Sequence, residues 1–346
     1  MSSPVHDLHD APSMHQNRRR TLLRAAGVLP FLGALAGRAG LEEGAARKRR
    51  KRCKAKPLRK ICAGKCGIVK SRKTCRKKVD CGVCCGASGI ACGAREICVD
   101  DRCLACDVTC ETPNRTCAGG ALQAALATGG SIRVCPGRYT GGFEINASVS
   151  VTGAGSGDDP ATNTILDGQG SQRVVDVIGA VPPILASLRR VRIQGGRDST
   201  GAGLDSGSLT EVNLVECAIT DNIGTGAGSE GGGLQASGAL RLTDCLVEGN
   251  EAGEGGGIYV DNGTTVLRNT IVRNNTATTG GGVYVDKFAV LLLEPTTQVT
   301  GNTAPTGGGI FSDSDSSVTV SAAATVAANS PGNCVIGGAL FGICPA

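Results

Sequence analysis

The chain has 346 residues, of which 53 are glycine, 18 are cysteine and none is tryptophan, and aromatic residues make up 2%. So little aromatic volume excludes a thick globular core and suits a body with a narrow interior. The net charge of +6 hides a split: residues 1–106 hold 24 Lys and Arg against 8 Asp and Glu, and residues 107–346 hold 12 against 22. Two stretches of opposite sign imply two modules with different surroundings.

Residues 1–44 read as an export leader. Arg18-Arg19-Arg20 precedes Thr21-Leu22-Leu23, the apolar stretch Ala25–Ala36 follows, and Ala34-Leu35-Ala36 offers a cleavage point. The stretch is too short to span a bilayer. The arginine pair resembles a twin-arginine signal and implies an extracellular or cell-surface protein, not transmembrane after processing. His6, His9 and His15 are the three histidines, and all precede this leader. A processed chain therefore has no histidine for a Ser-His-Asp triad, a Cys-His dyad or a His-bound metal.

Residues 45–112 form a basic, cysteine-rich module. The run Arg47-Lys48-Arg49-Arg50-Lys51-Arg52 continues through Lys54–Lys60 and Lys70–Lys78. In an exported chain it points to an anionic cell-envelope polymer and not to nucleic acid. Twelve cysteines lie between 53 and 110. Exported modules this small use such density for disulfides, because they cannot bury an adequate core. Cys81-Gly82-Val83-Cys84 and Cys103-Leu104-Ala105-Cys106 also have zinc-site spacing, which leaves a metal reading beside the disulfide one.

From 113 onward the pattern changes. Residues 118–128 predict one helix, with Leu122, Ala125 and Leu126 on one face, placed to cap an apolar end. Cys117 and Cys135 flank the segment that follows, and Cys334 and Cys344 sit near the end of the chain; both couples are disulfide candidates. Four segments then repeat one theme: Asn222 before Gly231-Gly232-Gly233-Leu234, Asn250 before Gly255-Gly256-Gly257-Ile258, Asn275 before Gly280-Gly281-Gly282-Val283, and Asn302 before Gly307-Gly308-Gly309-Ile310. The triplets recur every 24, 25 and 27 residues. A unit of that length cannot bury its apolar side alone and must stack on its neighbours. Short β-branched runs separated by Gly, Asn and Asp are strand-and-turn chemistry. In the unit opening at Gly255 the predicted strands are 258–260, 265–267 and 270–272. Stacking predicts three ladders: Leu234, Ile258, Val283 and Ile310 as a buried apolar column; Cys217, Cys245, Thr270 and Thr297 as a second; and Asn222, Asn250, Asn275 and Asn302 as a row of amides bonded along the axis. Cys217 and Cys245 are either bridged or free buried thiols.

These residues resemble the right-handed parallel β-helix, and in particular the repeat of chlamydial polymorphic outer-membrane proteins, which pairs Phe-x-x-Asn with Gly-Gly-Ala-Ile. Here Ile219-Thr220-Asp221-Asn222, Val247-Glu248-Gly249-Asn250, Val272-Arg273-Asn274-Asn275 and Val299-Thr300-Gly301-Asn302 match the first element, with Ile or Val for Phe, and Gly stands where the second has Ala. The resemblance implies an all-β chain: a right-handed parallel β-helix over 113–346, three short strands per coil and about 7–8 coils, with a small disulfide-rich N-terminal module.

The outward positions carry the candidate chemistry. Tyr259, Tyr284 and Phe311 form an aromatic ladder able to stack on sugars. Asp261, Asp286 and Asp313 form an acid ladder with three readings: calcium ligands, a glycosidase pair, or residues that open turns. Arg189, Arg190 and Arg192 could contact an acidic polymer. The leading expectation is a non-catalytic, adhesin-like scaffold for glycan or protein, with no cofactor unless Ca²⁺. The alternative is a lyase or hydrolase of acidic polysaccharide, with Asp261 and Asp286 served by Arg268 or Arg273 as base.

Overall fold

Three strands recur in every repeat because alternating β-branched residues must bury one face while Gly, Asn and Asp bend the chain between them. In the computed structural model the repeat opening at Gly255 holds Ile258–Val260, Thr264–Arg268 and Ile271–Arg273. The structure describes residues 92–344 except 94, and before them only the backbone of Ile68–Lys70, Lys78–Asp80, Cys84–Cys85 and Ile90–Ala91. The leader, the run from Arg47 to Lys60 and Cys81 lie outside the described residues.

Each strand pairs in parallel with its counterpart one coil away, giving three long sheets. The first, of eight strands, runs from Phe143–Ile145 to Cys334–Ile336. The second, of nine, runs from Gly130–Arg133 to Ala339–Gly342. The third, also of nine, runs from Thr116–Ala118 to Thr325–Ala327. The body is thus an all-β parallel solenoid of about nine turns, more than the 7–8 expected. The early coils lack glycine triplets, so the repeat count missed them. Upstream, Glu96–Val99 pairs antiparallel with Arg102–Ala105.

All three expected ladders form. Leu234, Ile258, Val283 and Ile310 lie in register with 0% exposure. Cys217, Cys245, Thr270 and Thr297 are buried, and both thiols are free. The Cys217 and Cys245 thiols donate to Leu188 O and Leu214 O, much as the Thr297 hydroxyl donates to Leu267 O. The Asn222 side-chain amide donates to Asn250 Oδ1 at 2.9 Å, Asn250 to Asn275 at 3.0 Å and Asn275 to Asn302 at 3.0 Å. Asn302 donates onward to Asn329 at 3.0 Å, a rung with no glycine triplet behind it to announce it.

The glycine triplet has two physical causes. Its first residue is left-handed, with φ of 64° at Gly231, 59° at Gly255, 64° at Gly280 and 61° at Gly307. A Cβ on the second would strike the next coil: at Gly256 it would meet Thr276 O and lie 2.7 Å from Gly281 O.

Helix α1, Gly120–Thr128, stands between the third-sheet strand Thr116–Ala118 and the second-sheet strand Gly130–Arg133. It thereby replaces the first-sheet strand of the opening turn. Leu122 and Leu126 are buried. Gln123 Nε2 donates to Glu144 O and Gln123 Oε1 accepts from Glu144 N, at 3.1 and 2.9 Å. One side-chain amide thus satisfies the edge strand as a neighbouring backbone would.

The disulfides correct the expected couple. Cys117 bonds to Cys110 and Cys135 to Cys106, so neither pairs with the other. Cys92 bonds to Cys103, which makes Cys103 a half-cystine. Cys334 bonds to Cys344. Cys106–Cys135 and the bridge from Val108 to Val134 join the cysteine-rich segment to the first coil. Among the described residues no helix is long and apolar enough to cross a membrane.

Candidate functional site

The outward column of the first sheet runs Asp176, Asp205, Gln235, Tyr259, Tyr284, Phe311 and Val335 in register. Parallel in-register pairing places like over like, and its consequence for the aromatics is decisive. The Tyr259 and Tyr284 rings stack with centroids 4.9 Å apart and planes 15° apart, and Tyr284 and Phe311 follow at 5.0 Å and 32°. The tyrosine faces are turned toward neighbouring rungs, and Tyr259 and Tyr284 are only 5% and 7% exposed. The ladder therefore points outward but does not offer a row of open ring faces. What the column presents along the strip is ring edges.

Carboxylates line both margins of this strip. Thr200, Glu230, Glu254, Thr279 and Thr306 bridge successively along one side. Asp261, Asp286 and Asp313 follow their strands on the other, each amide donating one coil back, to Ala236 O, Val260 O and Val285 O. The Tyr259 hydroxyl donates to Asp286 Oδ2 at 3.0 Å and the Tyr284 hydroxyl to Asp313 Oδ2 at 3.0 Å. Each tyrosine thus reaches one coil forward and ties the two ladders together. Ser237 Oγ donates to Asp261 Oδ2 at 2.8 Å. Burial first, then the Asp286 charge, pushes the Tyr259 hydroxyl well above its ordinary range. Burial and the Asp313 hydrogen bond do the same to Tyr284.

Charge balance changes along the column. At its N-terminal end Arg173 lies 3.2 Å from Asp176, 3.1 Å from Asp205 and 3.4 Å from Asp198. Burial still raises the Asp205 carboxyl, against the pull of Arg173. Past Asp205 that compensation stops. Burial raises the Glu230 carboxyl, and the charges that add to it are Asp261, Glu254, Asp286 and Asp205, all negative. Glu254 is raised by burial, Asp286 and Asp313. Among the described residues no three of His, Cys, Asp and Glu form a group able to hold a metal ion.

The proposed acid–base pairs do not converge. Arg268 ends a second-sheet strand whose other end adjoins the Asp261 turn, ~20 Å of extended chain away, and its Nε lies 3.7 Å from Glu294. Arg273, on the third sheet, clasps Glu248 through two hydrogen bonds of 3.0 Å and holds that carboxyl below its ordinary range. Arg189 pairs with Glu216 at 2.9 Å, Arg190 donates to Cys98 O and Ala154 O, and Arg192 pairs with Asp221 at 3.4 Å. The early arginines are thus engaged within the chain. A groove of about 550 Å³ on the third-sheet side is lined by Arg192, Arg273, Asp244, Asn269, Cys217 and Cys245 among others.

Sequence reasoning missed Glu230, Gln235, Glu254 and Arg173. Gln235 carried a signal: it stands where the next two repeats have Tyr. Arg173 lies in a coil without the triplet and had none.

Residues 186–324 match the family model described as right handed beta helix region. No curated protein and no solved structure matches the chain. The matched stretch covers the coils that carry the acid–tyrosine strip, and what it is similar to is a right-handed β-helix.

Proposed function

We propose that this chain is an exported, non-catalytic scaffold that holds an extended ligand, glycan or protein, at the cell surface or beyond it. The observation that carries this reading is the strip from Gln235 to Phe311, one continuous ladder of an amide and three aromatic rings crossing four coils with carboxylates on both margins. A site repeated coil after coil suits a polymer better than a small substrate. Disulfides in the described part favour an oxidising compartment. The basic runs of the N-terminal module would attach the protein to anionic envelope polymers.

An enzyme of acidic polysaccharide fits this geometry poorly. Its candidate acids sit beside the first sheet while its candidate bases are paired on the second and third. The strip also repels uronates. Purified protein tested on immobilised glycans and cell-surface protein fractions is expected to bind one of them. Release of unsaturated sugar from pectin or alginate in the presence of calcium would overturn the scaffold reading.

A further inference from the structure

Resting on the scaffold reading, we infer that the strip from Gln235 to Asp313 binds a polysaccharide bearing free primary amines, with one ammonium seated between Gln235 Oε1 and Glu230. The acidic margins alone would not justify this. Gln235 adds an independent observation: its residue is 7% exposed, its Nε2 donates to Glu230 Oε2 at 3.1 Å, and its Oε1 is buried with no hydrogen-bond partner. A buried carbonyl oxygen without a donor costs free energy, and a ligand carrying N–H groups relieves it. The bond to Glu230 fixes the Gln235 amide within the acidic strip, on the rung between Asp205 and Tyr259. An ammonium brings three donors and a positive charge to that place.

Spacing selects the polymer. Successive coils lie ~4.8 Å apart; one margin carries carboxylates at three of them, Asp261, Asp286 and Asp313, and the other at two, Glu230 and Glu254, before Thr279 and Thr306. Like-facing side chains of an extended peptide recur at about 6.7 Å and lose step with the coils after one or two rungs. A chain of hexosamines joined through opposite ring positions advances by nearly one coil per sugar and turns over at each link, so its amines face the two acidic margins in turn. The tyrosine edges and the Phe311 ring supply apolar contact to the sugar rims between ammonium sites.

The test uses the full oxidised chain and four soluble probes: chitosan, fully N-acetylated chitin oligomers, polygalacturonate and polylysine. Chitosan is expected to bind most tightly and to weaken as salt rises. Glu230→Gln and Gln235→Ala should each lower chitosan affinity about ten-fold, the scale of one charge-assisted hydrogen bond. Glu254→Gln, one rung along, should lower it by a smaller factor. Thermal melting no lower than that of the parent chain separates lost binding from lost fold. Preferential binding of the acetylated oligomers would overturn the amine inference and leave the scaffold reading standing. Polylysine binding at least as tight as chitosan, and lost in the same variants, would assign the strip to a basic protein instead. Chitosan affinity unchanged in all three variants would also overturn it. Failure of these probes together with the glycan and protein panel would sink both readings.

Discussion

Asn275 has four side-chain contacts and no exposure. Its Oδ1 accepts from Asn250 N and Asn250 Nδ2 at 3.0 Å each, and its Nδ2 donates to Val247 O at 3.1 Å and Asn302 Oδ1 at 3.0 Å. Asn275→Ala would strand partners on two coils at once. We predict a loss of about 3 to 5 kcal/mol in chemical denaturation, against less than about 0.5 for Asn262→Ala on the surface. Glu230 and Glu254 lead to a prediction of opposite sign. A carboxyl that holds its proton more tightly folded than unfolded destabilises the fold once ionised. That penalty is absent below the ordinary glutamate range and complete above the raised folded value. Burial raises both, with Asp205, Asp261, Asp286 and Asp313 as the neighbouring charges. Glu230→Gln and Glu254→Gln should therefore stabilise the protein at pH 7, each by no more than about 0.5 kcal/mol because both are part-exposed, and the gain should vanish near pH 4. Thermal melts across that range would show it.

At the scale of elements, the glycine triplets and α1 do different work. The triplet lets coils approach; α1 ends the stack. Gly256→Ala places a methyl against backbone oxygens of the next coil, which cannot move without breaking their own ladder. It should yield insoluble protein or abolish the cooperative transition, whereas Gly228→Ala, with open space around its Cβ, should be near neutral. Gln123→Leu keeps the helix but removes both bonds to Glu144, leaving a bare strand edge. We predict self-association that rises with concentration, measurable by light scattering. The triplets made the body readable in advance, since period, turn chemistry and axial ladder all follow from them. The early coils were under-read because Gln172-Arg173-Val174 and Gly201-Ala202-Gly203 stand where later coils have the triplet. The site was half legible: both outward ladders could be placed from register alone. In-register stacking also means that rings cover each other's faces, a step the spacing contains but composition does not suggest. Cys135 pairing with Cys106 depended on how the preceding segment meets the first coil, which no spacing rule encodes.

For the whole molecule, stability should be local. Each coil packs chiefly on the coils before and after it, so a solenoid behaves as a one-dimensional stack in which damage spreads by neighbour contact. The two ends differ: α1 covers the first turn, while the last strand, Ala339–Gly342, is exposed throughout. The Cys106–Cys135 bridge, spanning 29 residues, fastens the cysteine-rich segment to the first coil. In the chain-entropy account a loop of that size contributes about 3 to 4 kcal/mol. Cys106→Ser with Cys135→Ser should therefore loosen the opening turns and leave the middle intact. Native-state hydrogen exchange is the measurement. Amides around Val134, Tyr139 and Leu166 should exchange faster in the double variant, and those from Val272 to Val299 should keep their rates. The asparagine row is the rival: its bonds run from Asn222 to Asn329 and could lock the body into one cooperative unit. The row begins only at Asn222, however, three coils beyond the bridge, so it cannot hold the opening turns closed. A uniform rise in exchange along the whole stack would refute the local picture and show that the ladder transmits strain from end to end.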